Sequence, residues 1–148
     1  RLMCALEMFM LNNNMQHGYE PVRPPLLINE KSLEGASNFP RFKEDVFAVE
    51  KDGLYLTPTS EVNLANLYRD VIFSEQELPI RMTALTSCFR REAGGYGATE
   101  RGMIRMHQFE KVEIFSITVP EESSHEHERM LACAESILHK LGLHYRVS

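Results

Sequence analysis

The sequence of 148 residues has no tryptophan and only three cysteines, Cys4, Cys88 and Cys133. The cysteines lie far apart and form no C-x-x-C pair, which argues against a disulfide framework and against a zinc site. We therefore expect a protein of a reducing, cytoplasmic compartment.

The sequence also lacks long apolar runs and an excess of positive charge. No stretch of 18 apolar residues occurs, and no charged leader precedes a short apolar segment, so neither membrane insertion nor secretion is predicted. The formal net charge is −5. Long-range attraction of nucleic acid phosphates is therefore not expected from this chain alone, and any RNA contact is expected to be local.

The composition suits one globular unit, since 43% of the residues are hydrophobic. Expected strands and helices interleave without regular βαβ spacing, which favours an α+β domain with helices flanking an antiparallel sheet. The chain opens inside an apolar-periodic segment and stops inside an expected strand at residues 146–148. Residues 1–148 are therefore predicted to be an incomplete part of a single domain.

Hydrophobic periodicity and turn residues predict the elements. A helix is expected from Leu2 to about His17, with Leu2, Leu6, Phe9 and Met10 at helical spacing. The expected elements after it are an edge strand at 19–28, a long loop at 29–44, a hairpin of strands 46–49 and 54–57, a helix that begins at Thr57-Pro58 and includes Ile72, two antiparallel strands at 81–89 and 104–115, a helix from Pro120 to Leu141, and one further strand.

Charged and aromatic residues concentrate between Phe89 and Glu113. Residues two apart share a face of a strand, so Arg90 is expected on the same side as Glu92. The same spacing places five residues on one face of the second strand: Arg105, His107, Phe109, Lys111 and Glu113. Such a face cannot be an ordinary core, because buried charges must be paired or bound to a ligand.

These residue types suit a nucleotide and a small zwitterion. A guanidinium matches phosphate oxygens, an aromatic face can stack on a purine, and a carboxylate can accept from an ammonium or hydroxyl. The alternative is a solvated strand pair with cross-strand ion pairs. The density of such residues within one short segment favours the ligand site.

Three segments resemble a known family. Phe89-Arg90-Arg91-Glu92 followed by Arg105-Met106-His107-Gln108-Phe109 resembles motif 2 of class II aminoacyl-tRNA synthetases, in the form found in seryl-tRNA synthetases. Gly18-Tyr19-Glu20-Pro21-Val22, running to Pro25-Leu26-Leu27, resembles the end of motif 1, and Thr59-Ser60-Glu61 resembles the Thr-x-Glu loop of the seryl enzymes. The glycine-rich segment 93–97 corresponds to the motif 2 loop, which in this family reaches the tRNA acceptor end.

The resemblance implies a role for each matching residue. Arg90 is expected to stabilise charge on the α-phosphate of ATP and is the implied catalytic residue. The other implied ATP contacts are Arg91, Glu92 near the adenine amino group, Arg105 at the outer phosphates, the backbone of Met106, and Phe109 stacked on adenine. The implied serine contacts are Thr59, Ser60 and Glu61, with Glu113 at the serine hydroxyl or at a linked magnesium ion.

The resemblance further implies that serine is activated by ATP, with Mg, to seryl-adenylate and transferred to tRNA(Ser) by a cytoplasmic homodimer. The chain contains no motif 3 and no N-terminal coiled-coil arm, so alone it is expected to be a weak or inactive catalyst. Two alternatives stay open: a noncatalytic synthetase-like binding module, and a paralogue that loads an amino acid onto a carrier protein.

Two local patterns have simpler interpretations. Thr59-Ser60-Glu61 could merely begin a helix, because threonine caps helices and an acid favours the first turn. His125 and His127 are two apart and fall on different helix faces, so a solvated surface is favoured there over a metal site.

Overall fold

The computed structural model describes residues 1–36, 43–92 and 104–147. The glycine-rich loop at 93–97 and part of the expected long loop, residues 37–42, lie outside the described residues.

Helices and strands alternate irregularly along the described chain, as the sequence predicted for an α+β fold. The helices are α1 (Leu2–Gln16), α2 (Glu30–Gly35), α3 (Ser60–Leu67) and α4 (Ser123–Lys140). The strands are β1 (Glu20–Pro21), β2 (Leu27–Asn29), β3 (Ala48–Val49), β4 (Leu54–Leu56), β5 (Ile80–Phe89) and β6 (Gln108–Ile117). Across the ranges just given, no helix combines the length and apolarity needed to cross a membrane.

A long antiparallel ribbon of β5 and β6 is the centre of the first sheet. Its ten residue pairs run from Ile80 opposite Ile117 to Phe89 opposite Gln108. The short strand β1 pairs in parallel with the other edge of β5, giving the order β1-β5-β6. The predicted antiparallel pair is confirmed, although β6 begins at Gln108 rather than at Ile104.

The second sheet has the order β2-β4-β3 and is antiparallel. Its β3–β4 hairpin is confirmed, and the turn contains a short 3-10 helix at Glu50–Asp52. Gly53 ends that turn with φ of 64°, a left-handed conformation that glycine adopts without steric cost.

Helix α3 lies between the two sheets, since two of its buried side chains pack into two different hydrophobic clusters. Val62 packs with Ile28, Leu33 and Val46 of the first core. Leu64 packs instead with residues of β5, namely Met82 and Ala84. Both α3 side chains are fully buried, so the N-terminus of the helix is held in a fixed position.

The predicted start and end of α3 were wrong. Thr59, not Thr57, caps the helix, and its Oγ1 accepts from the Glu61 N–H at 3.3 Å. Thr57 stays extended because its N–H donates to the Leu26 carbonyl and its own carbonyl accepts from the Phe89 N–H. The helix ends at Leu67, and Ile72 is 96% exposed rather than helical and packed.

Three other element predictions need correction. The expected loop at 29–44 contains α2, whose N-cap Asn29 accepts from the Ser32 N–H at 2.9 Å. The single edge strand expected at 19–28 is two strands separated by residues 22–26, where Pro24 and Pro25 offer no N–H to a ladder. Residues 143–147 form no strand with any residue that the structure describes.

Buried amides, rather than an apolar stripe, hold α1 against the rest of the fold. Asn13 Nδ2 donates to Ser136 Oγ of α4 at 3.0 Å, and Asn14 Nδ2 donates to Thr83 Oγ1 of β5 at 2.9 Å. Leu2, expected on the packed side, is 75% exposed. The helix was predicted correctly, whereas the residues that bury it are polar.

A buried ion pair joins α4 to β5. Glu126 is 4% exposed, and its two carboxylate oxygens accept from Nε and Nη2 of Arg81 at 2.8 and 2.7 Å. Ser116 Oγ donates to the same carboxylate at 2.8 Å. The hydrogen bonds from Arg81 are the main reason that the pKa of Glu126 lies below its usual range.

Replacing Arg81 with methionine should lower the free energy of unfolding by about 3 kcal/mol at neutral pH, because the buried Glu126 carboxylate loses its main partner. It then keeps only the Ser116 hydroxyl and the more distant Arg129, at 3.8 Å. Urea denaturation of the purified protein measures this loss. Arg146→Met is the matched control, since Arg146 is exposed at the surface, and it should leave stability unchanged.

The loss should also depend on pH. A carboxyl whose pKa is depressed on folding stabilises above its unfolded pKa of about 4.3 and ceases to do so as the pH falls through the folded value. The stability difference between wild type and Arg81→Met should therefore shrink in acid below that range. An equal difference at neutral and strongly acidic pH would contradict the role assigned to this pair.

Candidate functional site

The turn between β4 and α3 is hydrogen-bonded to the end of the β5–β6 ribbon. The Phe89 N–H donates to the Thr57 carbonyl at 2.9 Å. The next residue, Arg90, donates from Nε to the Pro58 carbonyl at 3.2 Å. These bonds bring the Thr-x-Glu segment and the first half of the predicted motif 2 to the same place.

A cavity of about 270 Å³ lies at this junction. Its lining residues come from four separate segments: Asp45, Val46, Pro58, Thr59, Arg90, Glu92 and Arg105. Ligand pockets usually have volumes of about 300–1,000 Å³. The cavity therefore suits an amino acid or a phosphate group better than a whole nucleotide.

Arg90 and Phe109, which come from different segments of motif 2, lie beside each other. The Arg90 Cζ atom is 5.3 Å from the centroid of the Phe109 ring, within the range of a cation–π interaction. The Arg90 N–H donates to the His107 carbonyl at 2.9 Å, which fixes the chain direction just beyond the ribbon. A cation and an aromatic face are thereby presented side by side next to the cavity.

Glu92 and Arg105 form an ion pair on the cavity wall, with Arg105 Nη1 3.0 Å from Glu92 Oε2. The Arg105 side chain is 52% exposed, so this pair is accessible to a charged ligand. Glu92 has φ of 53°, a left-handed conformation that is uncommon for residues other than glycine. Such strain concentrates at functional sites, because only a well-packed surrounding maintains it.

Thr59, Lys111 and Glu113 form a hydrogen-bonded cluster at the start of α3. Lys111 Nζ is 2.5 Å from Glu113 Oε2 and donates to Thr59 Oγ1 at 2.6 Å. Thr59 Oγ1 in turn donates to Glu113 Oε2 at 3.0 Å. The sequence placed Lys111 and Glu113 on one face of the strand but assigned Lys111 no role.

Arg91 lies away from the cavity lining. Its guanidinium carbon is 4.5 Å from the centroid of the Phe47 ring, and its N–H donates to the Asp45 carbonyl at 2.8 Å. The edge of His107 contacts the same Phe47 ring, with centroids 5.8 Å apart. Arg91 therefore holds the Asp45–Phe47 segment against the motif 2 strand, and its predicted contact with ATP stays a prediction.

Three other residues predicted to bind the substrates differ in their exposure. Ser60 is fully buried, and its Oγ has no hydrogen-bond partner within the described ranges. Glu61 is exposed in the first turn of α3, and Met106 is 55% exposed next to Arg105. None of the three lines the cavity.

The sequence did not single out Asp45, Val46 or Pro58, although all three line the cavity. Asp45 and Val46 fell at the boundary between an expected loop and an expected strand, where no pattern marked them. Pro58 contributes its backbone carbonyl, and a carbonyl contact leaves no signal in the residue type.

A magnesium ion is disfavoured at Oε2 of Glu113 in this arrangement. The carboxylate oxygen Oε2 already faces the Lys111 ammonium at 2.5 Å, and a divalent cation there would meet a like charge. Among the residues that the structure describes, no cluster of three or more His, Cys, Asp or Glu residues could hold a metal ion.

Two neighbouring hydroxyls should respond differently to removal. Thr57 Oγ1 lies 2.8 Å from the Thr59 carbonyl and 2.7 Å from Asn63 Oδ1. Thr57→Val keeps the shape but removes the one buried hydroxyl proton that these two acceptors share, so it should cost about 1–3 kcal/mol of unfolding free energy.

Ser60→Ala is the matched variant, because it removes a buried hydroxyl that makes no hydrogen bond to the described part of the chain. It should change stability by less than about 1 kcal/mol or increase it. Denaturant titration of both variants measures the contrast. A larger loss for Ser60→Ala than for Thr57→Val would show that Ser60 Oγ has a partner that this arrangement does not include.

Comparison with known proteins gives a consistent set of relatives. Residues 43–148 match the family described as tRNA synthetase class II core domain (G, H, P, S and T). A serine–tRNA ligase of Afipia carboxidovorans is 54% identical over 99% of this chain, and the chain spans 35% of that relative.

Two solved structures are also similar. A seryl-tRNA synthetase of Pyrococcus horikoshii complexed with ATP superposes with a TM-score of 0.88 at 37% identity, covering 95% of this chain and 31% of that one. A cytoplasmic serine–tRNA ligase of Naegleria fowleri in complex with AMP gives 0.82 at 31% identity, with 90% and 32% covered. The chain belongs to the class II core-domain family of tRNA synthetases, as its motif 2 and antiparallel ribbon indicated.

Proposed function

We propose that the chain is the serine- and ATP-binding part of a serine–tRNA ligase. The observation that carries the proposal is the convergence of Thr59, Arg90, Glu92 and Arg105 on one cavity, next to Lys111 and Glu113. The names of the similar proteins support the same activity, as do the ATP and AMP bound in the two similar structures.

The ATP side of the site is formed by the motif 2 residues. Arg90 is proposed to bind the α-phosphate, since its guanidinium already lies at the cavity beside Phe109. Phe109 would stack on the adenine, while Glu92 and the backbone of Met106 recognise its edge. Arg105 would exchange its ion pair with Glu92 for the outer phosphates, to which a guanidinium binds strongly.

The serine side of the site is formed at the start of α3. Glu61, whose carboxylate is exposed in the first turn, is proposed to receive the serine ammonium. Thr59 is proposed to hold this turn in place through its hydrogen bond to Glu113. Glu113 is proposed to accept from the serine hydroxyl. Ser60 would contribute through the packing of this turn, because its side chain is fully buried.

The proposed reaction needs positioning and charge stabilisation more than covalent help from the protein. The serine carboxylate oxygen attacks the α-phosphorus of ATP, the bond to the pyrophosphate oxygen breaks, and seryl-adenylate forms. The tRNA ribose hydroxyl then attacks the seryl carbonyl carbon and releases AMP. Arg90 stabilises the negative charge that grows on the α-phosphate oxygens in the first step.

The remaining partners follow the family. tRNA(Ser) would contact the segment 93–101, which the resemblance identifies with the motif 2 loop, and parts of the protein beyond this chain. The whole protein would act as a cytoplasmic homodimer. A magnesium ion would accompany the ATP phosphates without Glu113 as its ligand. These assignments concern a whole protein longer than this chain, since the chain spans 35% of the length of the Afipia carboxidovorans relative.

Serine-dependent exchange of labelled pyrophosphate into ATP tests the proposal on the full-length protein that contains this chain. Exchange is expected with serine and not with alanine, threonine or proline. Arg90→Ala should reduce the rate by about 10²–10³-fold, the usual loss when one donor to a developing negative charge is removed.

Arg146→Ala serves as the matched control, since it removes an exposed guanidinium distant in sequence from the site, and it should leave the rate unchanged. Exchange with another amino acid but not with serine would favour a paralogue of different specificity. No exchange with any amino acid would favour a noncatalytic binding module.

A further inference from the structure

Lys111 lies at the centre of the serine side of the site but has no part in the roles described so far. Its Nζ contacts both Glu113 Oε2, at 2.5 Å, and Thr59 Oγ1, at 2.6 Å. Lys111 and Glu113 are two residues apart on β6 and therefore share a face. The contacts join that face to the N-cap of α3.

The hydrogen-bonding capacity of Thr59 Oγ1 is filled in this arrangement. A hydroxyl has one proton to donate and two lone pairs that accept. The proton goes to Glu113 Oε2, and the lone pairs accept from Lys111 Nζ and from the Glu61 N–H. A further donor, such as a substrate ammonium, finds no free lone pair on this oxygen while Lys111 is in place.

The two oxygens of Glu113 have different surroundings. Oε2 takes both the Lys111 and the Thr59 contacts. Oε1 has no hydrogen-bond partner in residues 1–36, 43–92 and 104–147, and the side chain keeps 21% of its surface exposed. The carboxylate is thus held by one oxygen and can accept with the other.

The charge of Glu113 is already balanced by Lys111. A carboxylate paired with an ammonium at 2.5 Å offers little net attraction to a second ammonium, but its other oxygen remains a hydrogen-bond acceptor. Such an acceptor suits a neutral hydroxyl. The carboxylate of Glu61 is exposed and pairs with no cation of the described residues, so it suits the substrate ammonium better.

We propose that Lys111 is a positioning residue for specificity: it fixes Glu113 so that Oε1 accepts from the hydroxyl of the amino acid substrate. This inference rests on the proposed function, since it assigns the selection of serine over alanine to the Lys111–Thr59–Glu113 cluster. A site that hydrogen-bonds a substrate hydroxyl can reject an analogue that lacks it by about 10⁴-fold.

A purely structural role for Lys111 predicts a different outcome. Val62 and Leu64 pack α3 between the two sheets. The Phe89 N–H donates to the Thr57 carbonyl and so holds the preceding turn against the ribbon. These contacts remain when Lys111 is replaced. If Lys111 had only a structural role, its replacement would therefore weaken ATP and serine binding together. The ratio of kcat/KM for serine to that for alanine would stay unchanged.

The test uses the full-length protein with Lys111→Met, which keeps the aliphatic length and removes the charge. The quantities measured are KM for serine, KM for ATP, and the ratio of kcat/KM for serine to that for alanine in pyrophosphate exchange. Lys111→Met should raise KM for serine at least tenfold and lower the serine-to-alanine ratio at least tenfold, with KM for ATP changed less than twofold.

Two further variants keep the test interpretable. Lys111→Arg retains the positive charge and should restore part of the serine-to-alanine ratio. Lys51→Met removes an exposed lysine in the β3–β4 turn and should leave all three quantities unchanged. Calorimetric titration with ATP alone shows whether each variant still folds around its nucleotide site.

The outcomes separate this inference from the proposed function. Wild-type exchange with serine combined with an unchanged ratio in Lys111→Met overturns the role of Lys111 and leaves the function standing. Equal loss of ATP and serine binding in Lys111→Met also overturns it in favour of a structural role. Absence of serine-dependent exchange in wild type overturns both.

Discussion

Four hydrogen bonds between the turn at residues 57–59 and the β5–β6 ribbon determine where every part of the site lies. Two are to backbone carbonyls, from Phe89 N–H to Thr57 and from Arg90 Nε to Pro58. Two involve Thr59 Oγ1, which accepts from Lys111 and donates to Glu113. Together with the packing of Leu64 on β5, this junction places the Thr-x-Glu turn next to the motif 2 strands.

The junction explains how a strand face with so many charges is accommodated. Lys111 and Glu113 of this face neutralise each other by direct contact, and Arg105 pairs with Glu92 at the cavity wall. Arg90 lies over an aromatic ring in place of an acidic partner. The two ion pairs keep part of their surface exposed, so a zwitterion or a phosphate can exchange for one partner.

Helices α3 and α4 form a framework that is held by buried contacts, whereas the two ion pairs of the site are partly exposed. Apolar packing of Val62 and Leu64 holds α3, and a buried ion pair between Arg81 and Glu126 holds α4 to β5. The left-handed backbone at Glu92 costs about 1–3 kcal/mol, and such a cost is maintained only when the surroundings are rigid. Stability in the framework therefore permits local strain at the ligand-facing residue.

The sequence predicted the elements whose signals are local. The β5–β6 ribbon, the β3–β4 hairpin and the helix from about residue 120 follow from alternation, an Asp-Gly turn and helical spacing. The six-residue α2 was missed because it is too short to show periodicity, although Asn29 was present as its cap. Likewise, two threonines flank Pro58, and only the long-range bond from Phe89 N–H decides that Thr59 is the cap.

The sequence predicted those parts of the site whose signals are local. Alternation along β6 correctly placed Lys111 on the side of Glu113. The contact of Phe109 with Arg90 joins two separate segments and was not predicted. Residue type could not show that Arg91 would stack on Phe47 or that Asp45 and Pro58 would line the cavity, since those contacts join segments distant in sequence. The cluster at Thr59 likewise depends on how α3 packs between the sheets.

A crystal structure of the full-length protein with a non-hydrolysable seryl-adenylate analogue would test the central claim most directly. The account predicts adenine on Phe109, the phosphate mimic at Arg90, and the serine hydroxyl at Glu113 Oε1 with Lys111 still on Oε2. An analogue bound away from the junction of residues 57–59 and the ribbon, or bound there with Lys111 displaced from Glu113, would contradict it.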